Sequence, residues 1–173
     1  MTTDLRCGAG CSTDPRLDAA LPEAIRAAAA QLGASPRTAD LAVVFVSAAY
    51  GADVRPAFEG LADLVGARTV IGTTAEAVLC NDREHEQGPV VAVWLARMPT
   101  ATIVPVSIEH ARTPDGGMFV GWPPEDDEGT AVPWPADPAL VLLADPFSFP
   151  VEAFLERVAE DHPGLPIVGG MAS

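Results

Sequence analysis

The chain has 173 residues, of which 49% are apolar and 20% are charged, and its formal net charge is -14. A length of this order predicts one domain with enough buried surface for a hydrophobic core. The ten cationic residues are all arginine and stand against 24 acids, so the chain lacks the basic stripe that binds nucleic acid or an anionic membrane. We therefore expect neither nucleic acid nor a membrane as a partner.

The sequence gives no reason to expect a membrane span or a signal peptide. No apolar run reaches the roughly 18 to 20 residues that a bilayer span needs, and the first twelve residues lack the pattern of a secretory signal. A cytoplasmic location is the resulting expectation. The three cysteines, Cys7, Cys11 and Cys80, are an odd number in a chain of this length, and we expect free thiols.

The first helix is predicted to follow Thr13-Asp14-Pro15, where a capping residue precedes a proline. Apolar residues then recur at helical spacing from Leu17 to Leu32, and Gly33 provides a C-cap. Pro22 lies inside this stretch, where it removes a backbone hydrogen bond. A kink or a restart of the helix is therefore expected there.

Two strands flank a second predicted helix. The continuous apolar run at 41–46 has the pattern of a strand that is covered on both faces. Residues 54–65 carry the apolar face of the helix, with Asp53 as its expected N-cap and Gly66 as its end. A short strand follows at 69–71. The three elements predict a right-handed strand–helix–strand crossover.

Two β-rich runs, 90–97 and 102–108, are separated by only four residues. So short a link cannot contain a parallel crossover, and it predicts antiparallel pairing of the two runs. Later strands are predicted at 140–144 and 166–168, on either side of a helix that begins at Pro150. The predicted fold is therefore α/β, with a mixed, mostly parallel sheet, helices packed on it and one antiparallel hairpin.

Between residues 111 and 138 the pattern dissolves into a segment rich in proline, glycine and acidic residues. A connection of this length inside a compact domain is typical of a functional lid or of a disordered excursion. Phe119, Trp122 and Trp134 favour packed structure within it. We therefore interpret residues 113–136 as an acidic loop and a candidate lid.

No internal repeat and no interdomain linker interrupts this order of elements, so residues 1–173 are expected to form one domain. The last predicted strand runs straight into Gly169-Gly170-Met171-Ala172-Ser173, without a polar tail. We expect the domain to be incomplete at this end.

The candidate ligand site lies where the predicted strands end. In open α/β sheets, ligands bind outside the carboxyl ends of the strands, where hydroxyls, glycines and backbone N–H groups can hold a carboxylate or a phosphate. Glu76 either binds a ligand's ammonium group or acts as the first-turn acid of a helix. Turn and cap roles are the alternative for every position, above all for Asp145. The candidate ligand-binding residues are Ser47, Gly72, Thr73, Thr74, Glu76, Asp145, Gly169 and Gly170.

Motifs for metal binding and cofactor chemistry are weak. Glu84-His85-Glu86 cannot direct three consecutive side chains at one ion, so a solvated, charged loop is the favoured interpretation. Cys7 and Cys11 lack the spacing of a zinc knuckle or a redox pair. Gly8-Ala9-Gly10 lacks the third glycine of a dinucleotide loop. We expect no metal, no cofactor and no catalytic residue.

Five stretches, taken in order, carry a family resemblance: LAVVFVSAAYG (41–51), VIGTTAEAVL (70–79), EHEQGPVVAVWLARMP (84–99), LLADPFSFPVEAFL (142–155) and PIVGGMAS (166–173). They resemble the N-terminal region of FIST domains, a sensory family of bacterial signal-transduction proteins and some eukaryotic F-box proteins. The positions that match its recurring polar and glycine features are Ser47, Gly72, Thr73, Thr74, Glu86, Asp145, Gly169, Gly170 and Ser173.

The resemblance implies a cytoplasmic module that binds a small ligand, with amino acids or related metabolites proposed, and that signals to an attached domain or to a C-terminal FIST half. The family pattern contains no catalytic residue. The leading hypothesis is thus a sensory module that is not an enzyme. The alternatives are a small hydrolase or transferase that uses Ser47 or Asp145, and a scaffold whose acidic face or 113–136 loop binds another protein.

Overall fold

The computed structural model describes residues 5–113, 116–122, 134 and 137–171, and these contain both strands and helices. These residues fall into two compact units, one ending at Ile103 (unit 1) and one beginning at Val104 (unit 2). The expected single domain stays a prediction. The strands are β1 (Arg6–Ser12), β2 (Leu41–Ser47), β3 (Thr69–Ala75), β4 (Val78–Cys80), β5 (Arg83–His85), β6 (Val91–Arg97), β7 (Glu109–Thr113), β8 (Gly116–Val120), β9 (Leu140–Ala144) and β10 (Ile167–Met171). The helices are α1 (Leu17–Leu32), α2 (Val54–Glu59), α3 (Leu61–Val65) and α4 (Val151–Asp161), with short 3₁₀ helices at Pro36–Thr38 and Ala48–Asp53.

Unit 1 is built on a four-stranded sheet in the order β1-β6-β2-β3. β2 and β3 are parallel, whereas β6 lies antiparallel to both β1 and β2. The register aligns Ser12, Val91, Val46 and Thr74 in one row across the sheet. Because β1, β2 and β3 run in the same direction, their carboxyl ends lie at one edge of the sheet.

The prediction of a mixed sheet is confirmed, but the sheet is not mostly parallel. Two of the three strand pairs in the four-stranded sheet are antiparallel. The predicted hairpin between 90–97 and 102–108 is wrong, since 102–108 is not in a strand. β6 already has a neighbour on each side, β1 and β2, and both of its edges are hydrogen-bonded to strands that lie far away in sequence.

Helix α1 packs directly on β1 because two glycines leave no side chain between them. A Cβ at Gly8 or at Gly10 would lie closer than 3.0 Å to backbone atoms of α1, in both cases to Ala28. The predicted helix 17–32 is confirmed, and it continues through Pro22 without the expected restart. The β1 strand itself was not predicted, because its Cys-Gly-Ala-Gly-Cys sequence lacks β-branched and aromatic residues.

The main core of unit 1 lies between the sheet and its helices. The predicted helix over 54–65 is in fact two short helices, α2 and α3, that meet at Gly60. Asp53 makes no side-chain cap, whereas Gly66 ends α3 as expected. The largest contributors to this core include Leu17, Leu21, Ile25, Leu32, Val44, Val46, Leu61, Val65, Val93 and Leu95.

A second, smaller cluster lies under the β4–β5 hairpin. Side chains alternate between the two faces of a strand, so the residues of β1 next to Gly8 and Gly10 face away from α1. On that side the hairpin covers the carboxyl half of the sheet. The cluster contains Val78, Cys80, Val90 and Ala92, with Cys11, Phe45 and Ala75 packed against them.

Unit 2 contains the antiparallel pair β7–β8, the parallel pair β9–β10 and helix α4. Phe154 and Val158 of α4 pack with Trp122, whose indole N–H donates to Asp161 Oδ2 at 3.1 Å. The predicted 113–136 loop is wrong over residues 116–120, which form β8. Residues 114–115, 123–133 and 135–136 of that segment lie outside the described part of the chain. Of the helices that the structure describes, none has the length and hydropathy of a membrane span.

Candidate functional site

The carboxyl edge of unit 1 brings together the segments that follow β1, β2 and β3. Ser12 ends β1 and Ser47 ends β2, while β3 ends at Ala75. Helix α1 begins a few residues after Ser12, so its N-terminus lies at this edge. β6 runs in the opposite direction and starts here, which adds the turn around Gly88 to the same edge.

Four residues at this edge form a hydrogen-bonded group that we call the edge cluster: Ser12, Asp14, Glu23 and Tyr50. Ser12 Oγ donates to Glu23 Oε2 at 2.5 Å and accepts from the Asp14 N–H at 3.2 Å. The Tyr50 hydroxyl donates to the Asp14 carbonyl oxygen at 2.7 Å. The Asp14 carboxylate accepts from the Arg16 N–H at 2.8 Å, next to the start of α1. The cluster therefore ties the β1–α1 connection to the segment that follows β2.

The edge cluster combines buried hydroxyls with an exposed carboxylate. Ser12 and Tyr50 are 5% and 8% exposed, whereas Glu23 is exposed. Burial, together with the charge of Asp14, raises the pKa of the Tyr50 phenol above its ordinary value of 10.0. The phenol therefore stays a protonated donor at neutral pH. The exposed Glu23 carboxylate, held in place by the buried Ser12, can attract a cationic group of a ligand.

Ser47 lies at the predicted edge, but backbone groups occupy its hydroxyl. Ser47 Oγ donates to the Gly88 carbonyl at 2.9 Å and accepts from the Ala49 N–H at 3.1 Å. The side chain is buried, with 2% exposed. A serine nucleophile needs a base that takes its proton, and here the proton points at a carbonyl oxygen. The arrangement is that of a cap, in which Ser47 joins the Gly88 turn to the 3₁₀ helix after β2.

Gly72, Thr73 and Thr74 lie inside β3 rather than after it, so the predicted end of this strand is wrong. A Cβ at Gly72 would lie 2.9 Å from Phe58 Cε1, and this glycine therefore allows α2 to approach the sheet. Glu76 is exposed just beyond β3. The chain continues from Glu76 into the β4–β5 hairpin, so the helix whose first turn it was expected to occupy is absent.

The other predicted residues lie in unit 2. Asp145 follows β9, where its carboxylate accepts from the Phe147 N–H at 3.0 Å and from the Ser148 hydroxyl at 2.5 Å. The hydrogen bond from the Ser148 hydroxyl is the main cause of the lowered pKa of Asp145, and the bond from the Phe147 N–H is the second. These contacts are those of a turn residue, which was the alternative role predicted for Asp145. Gly169 and Gly170 lie inside β10, not after a strand. The eight candidates are thus divided between two units, and Ser173 lies outside the described residues.

The strand order places the edge cluster and the predicted residues of β3 at opposite ends of the carboxyl edge of unit 1. Three strand spacings lie between Ser12 on β1 and Thr74 on β3, which is about 14 Å at the usual spacing of strands. A ligand of amino-acid size is too small to contact both. The sequence pointed to the β2–β3 end and missed the edge cluster. The signal available for Tyr50 was only that it follows β2, and Ser12 carried no signal because β1 was not predicted.

The charged segment around His85 was expected to be a solvated loop; Glu84 and Glu86 are indeed exposed, but part of the segment is a strand. Arg83–His85 is strand β5, in which His85 pairs with Val78. The Nε2 atom of His85 is buried and has no hydrogen-bond partner among the described residues. Among all residues that the structure describes, no group of three or more His, Cys, Asp or Glu side chains is arranged to hold a metal ion.

Comparison with protein-family models identifies the family of the chain. The model of the FIST N domain matches residues 40–173, which is most of the sequence. The chain belongs to the FIST N domain family. The FIST domain is classed as a sensory and signal-transduction module.

Curated relatives of this FIST N domain come from mycobacteria. Uncharacterized protein Rv0628c of Mycobacterium tuberculosis (strain ATCC 25618 / H37Rv) is 30% identical over 169 residues, covering 98% of the chain and 41% of the relative. Uncharacterized protein Mb0898c of Mycobacterium bovis (strain ATCC BAA-935 / AF2122/97) is 28% identical over 170 residues, with the same coverage. The chain thus spans about two fifths of the length of these relatives.

Proposed function

We propose that this FIST N domain is a sensory module that binds a small ligand, an amino acid or a related metabolite, at the edge cluster. Family membership supports the sensory role. The observation that carries the location is the hydrogen bond from the buried Ser12 hydroxyl to the exposed Glu23 carboxylate, next to the Tyr50–Asp14 bond. These bonds hold a solvent-facing anion in a fixed place at the carboxyl edge of the sheet.

The chemistry of this edge suits a zwitterion. The ammonium group of an amino acid would face the Glu23 carboxylate, because a charge-assisted hydrogen bond to a fixed anion is the stronger kind. Its carboxylate would face the N-terminus of α1, where the helix macrodipole favours a negative charge. α1 has 16 residues, so its macrodipole is fully developed.

A non-catalytic role is part of the proposal. The hydroxyl of Ser47 bonds to backbone groups, and both carboxylate oxygens of Asp145 accept bonds within its own turn. The lowered pKa of Asp145 makes it a poor general acid near neutral pH, since such an acid needs a raised pKa. These contacts favour ligand binding over the hydrolase or transferase alternative.

We also propose a cytoplasmic setting, without nucleic acid or membrane as a partner. The net charge of -14 supports the absence of nucleic-acid and membrane partners, because it repels phosphate groups. A downstream signalling domain or a C-terminal FIST half is the proposed partner in signalling. The length of the mycobacterial relatives, of which the chain spans 41%, supports an attached partner.

A thermal-shift screen of the twenty amino acids, nucleotides and small carboxylates tests the proposal. A ligand at 100 times its Kd stabilises the folded state by about 2.7 kcal/mol, which raises Tm by roughly 5 to 10 °C in a chain of this size. Glu23→Gln should weaken binding of a hit at least tenfold, since it removes the charge but keeps the shape. The control Glu59→Gln changes an exposed acid on α2 and should leave Kd unchanged. No shift with any compound, or equal Kd values for both variants, would refute the proposal.

A further inference from the structure

Two of the three thiols meet in the smaller apolar cluster under the β4–β5 hairpin. Cys80 lies in β4 and is buried, and Cys11 lies in β1 and is half-buried. Cys11 packs against the residues that surround Cys80, including Val90 and Ala92. Cys80 is itself a member of that cluster, so the two cysteines share one apolar environment. Both cysteines are in the free thiol form.

The third cysteine provides an internal control. Cys7 is exposed and lies four residues before Cys11 on the same face of β1. Along an extended strand this separation is about 13 Å, whereas a disulfide requires Cα atoms within about 7 Å. A bond between Cys7 and Cys11 is therefore excluded while β1 keeps its structure.

We propose that Cys11 and Cys80 are a redox-active pair that closes to an intramolecular disulfide when the protein meets a peroxide. Hydrogen peroxide first oxidises the Cys11 thiol to a sulfenic acid and releases one water. The Cys80 sulfur then attacks the Cys11 sulfur, the S–S bond forms, and the hydroxyl of the sulfenic acid leaves with the Cys80 proton as a second water. Two thiols lose two electrons and two protons, and one peroxide becomes two waters.

The surroundings assign a different part to each sulfur. Burial, followed by the hydrogen bond with Cys11, raises the pKa of Cys80 to about 12. In the dithiol form Cys80 therefore stays protonated and reacts slowly with peroxide, since the thiolate is the form that peroxide oxidises. Cys11 is the more accessible of the two and reacts first. Cys80 resolves the sulfenic acid because it belongs to the cluster against which Cys11 packs. Its proton passes to the hydroxyl of the sulfenic acid as the S–S bond forms.

The disulfide would link the hairpin covalently to the sheet. Cys80 belongs to β4, and Cys11 lies one residue before Ser12 of the edge cluster. Oxidation would thus fix β4 against β1 beside the carboxyl edge of unit 1. This inference goes beyond the proposed ligand binding and does not depend on it.

Peptide mapping after peroxide treatment tests the pair. The full chain is treated with a few equivalents of hydrogen peroxide in the presence of a chelator, alkylated in denaturant and digested with trypsin. We expect a mass loss of two hydrogens, one remaining free thiol, and a linked pair of the tryptic peptides 7–16 and 69–83. Dithiothreitol should restore three free thiols.

Variants assign the bond to its sulfurs. Cys7→Ser should still form the linked peptides, now with no free thiol left, whereas Cys11→Ser should form none. Cys80→Ser should likewise form no linked peptides, and the wild-type and Cys7→Ser digests decide the question even if this variant does not fold. A Cys7–Cys11 bond within peptide 7–16, a disulfide between two chains, or sulfinic acid at Cys11 in place of the linked peptides would overturn the proposal.

Discussion

Replacing Gly10 by alanine probes the direct packing of α1 on β1. A Cβ at this position would lie closer than 3.0 Å to the Ala24 carbonyl oxygen and to the Ala28 nitrogen, both of which are backbone atoms of the helix. No side-chain rotation can relieve such a contact. The helix as a whole has to move away from the sheet, which loosens the packing of its buried residues, among them Leu21 and Ile25.

The expected change in the free energy of unfolding is the difference between two opposing effects of Gly10→Ala. Overpacking of a well-packed core costs about 1–3 kcal/mol, and the upper end applies here because backbone atoms are involved. Alanine is better than glycine within a strand by roughly 0.5–1 kcal/mol, which offsets part of this cost. The free energy of unfolding of unit 1 should therefore fall by about 2 kcal/mol, which lowers its urea midpoint by about 1 M.

Urea titration followed by far-UV circular dichroism measures this change, and hydrogen exchange of β6 peptides assigns the transition to unit 1. Gly60→Ala is the matched control, because a Cβ there meets nothing within 4 Å and its φ is -101°. The control should change the midpoint little. If Gly10→Ala is as stable as Gly60→Ala, the close contact between α1 and β1 is refuted.

Three further tests concern single side chains. Asp40→Ala removes the buried carboxylate that accepts from the Met98 N–H at 2.6 Å, and urea titration should show a loss of about 2 kcal/mol. Tyr50 is the single tyrosine in the sequence, so its ultraviolet absorbance titration should show a midpoint above 10.0. The buried phenol stabilises the fold only while it is protonated, and this stabilisation should be lost as pH rises through that midpoint. Arg157, which donates to Asp161 at 2.7 Å, is the main cause of the lowered pKa of Asp161. The ion pair between Arg157 and Asp161 should therefore stabilise the fold above pH 3.8, and this stabilisation should be lost on acidification below pH 3.8. Tm measurements should detect the loss in the wild type but not in Asp161→Asn.

Local patterns in the sequence predicted the elements that depend on local interactions. Helix α1 and strands β2 and β9 were found because their apolar residues follow the period of a helix or the continuous run of a buried strand. β1 was missed, since its glycines serve the approach of α1 and leave few residues of high strand propensity. The pairing of β6 was wrong because its partners, β1 and β2, are far away in sequence.

The candidate site was predicted only in outline. The rule that ligands bind at the carboxyl ends of strands led to the carboxyl edge of unit 1 for Ser47 and Glu76, and a ligand at this edge stays a prediction. Ser12 and Tyr50 were missed, because their proximity depends on where β1 lies in the sheet. Asp145 and Gly169 belong to a different unit, a division that no local pattern in the sequence indicates.

The central claim is that the edge cluster holds the ligand, and chemical-shift mapping with a hit from the amino-acid screen tests it most directly. The chain is labelled with ¹⁵N and titrated with the ligand. We predict that the largest shift changes fall on residues 12–14, Glu23 and Tyr50, with the same saturation curve at each. Changes confined to the Asp145–Ser148 turn, or to the end of β3 around Glu76, would contradict the account.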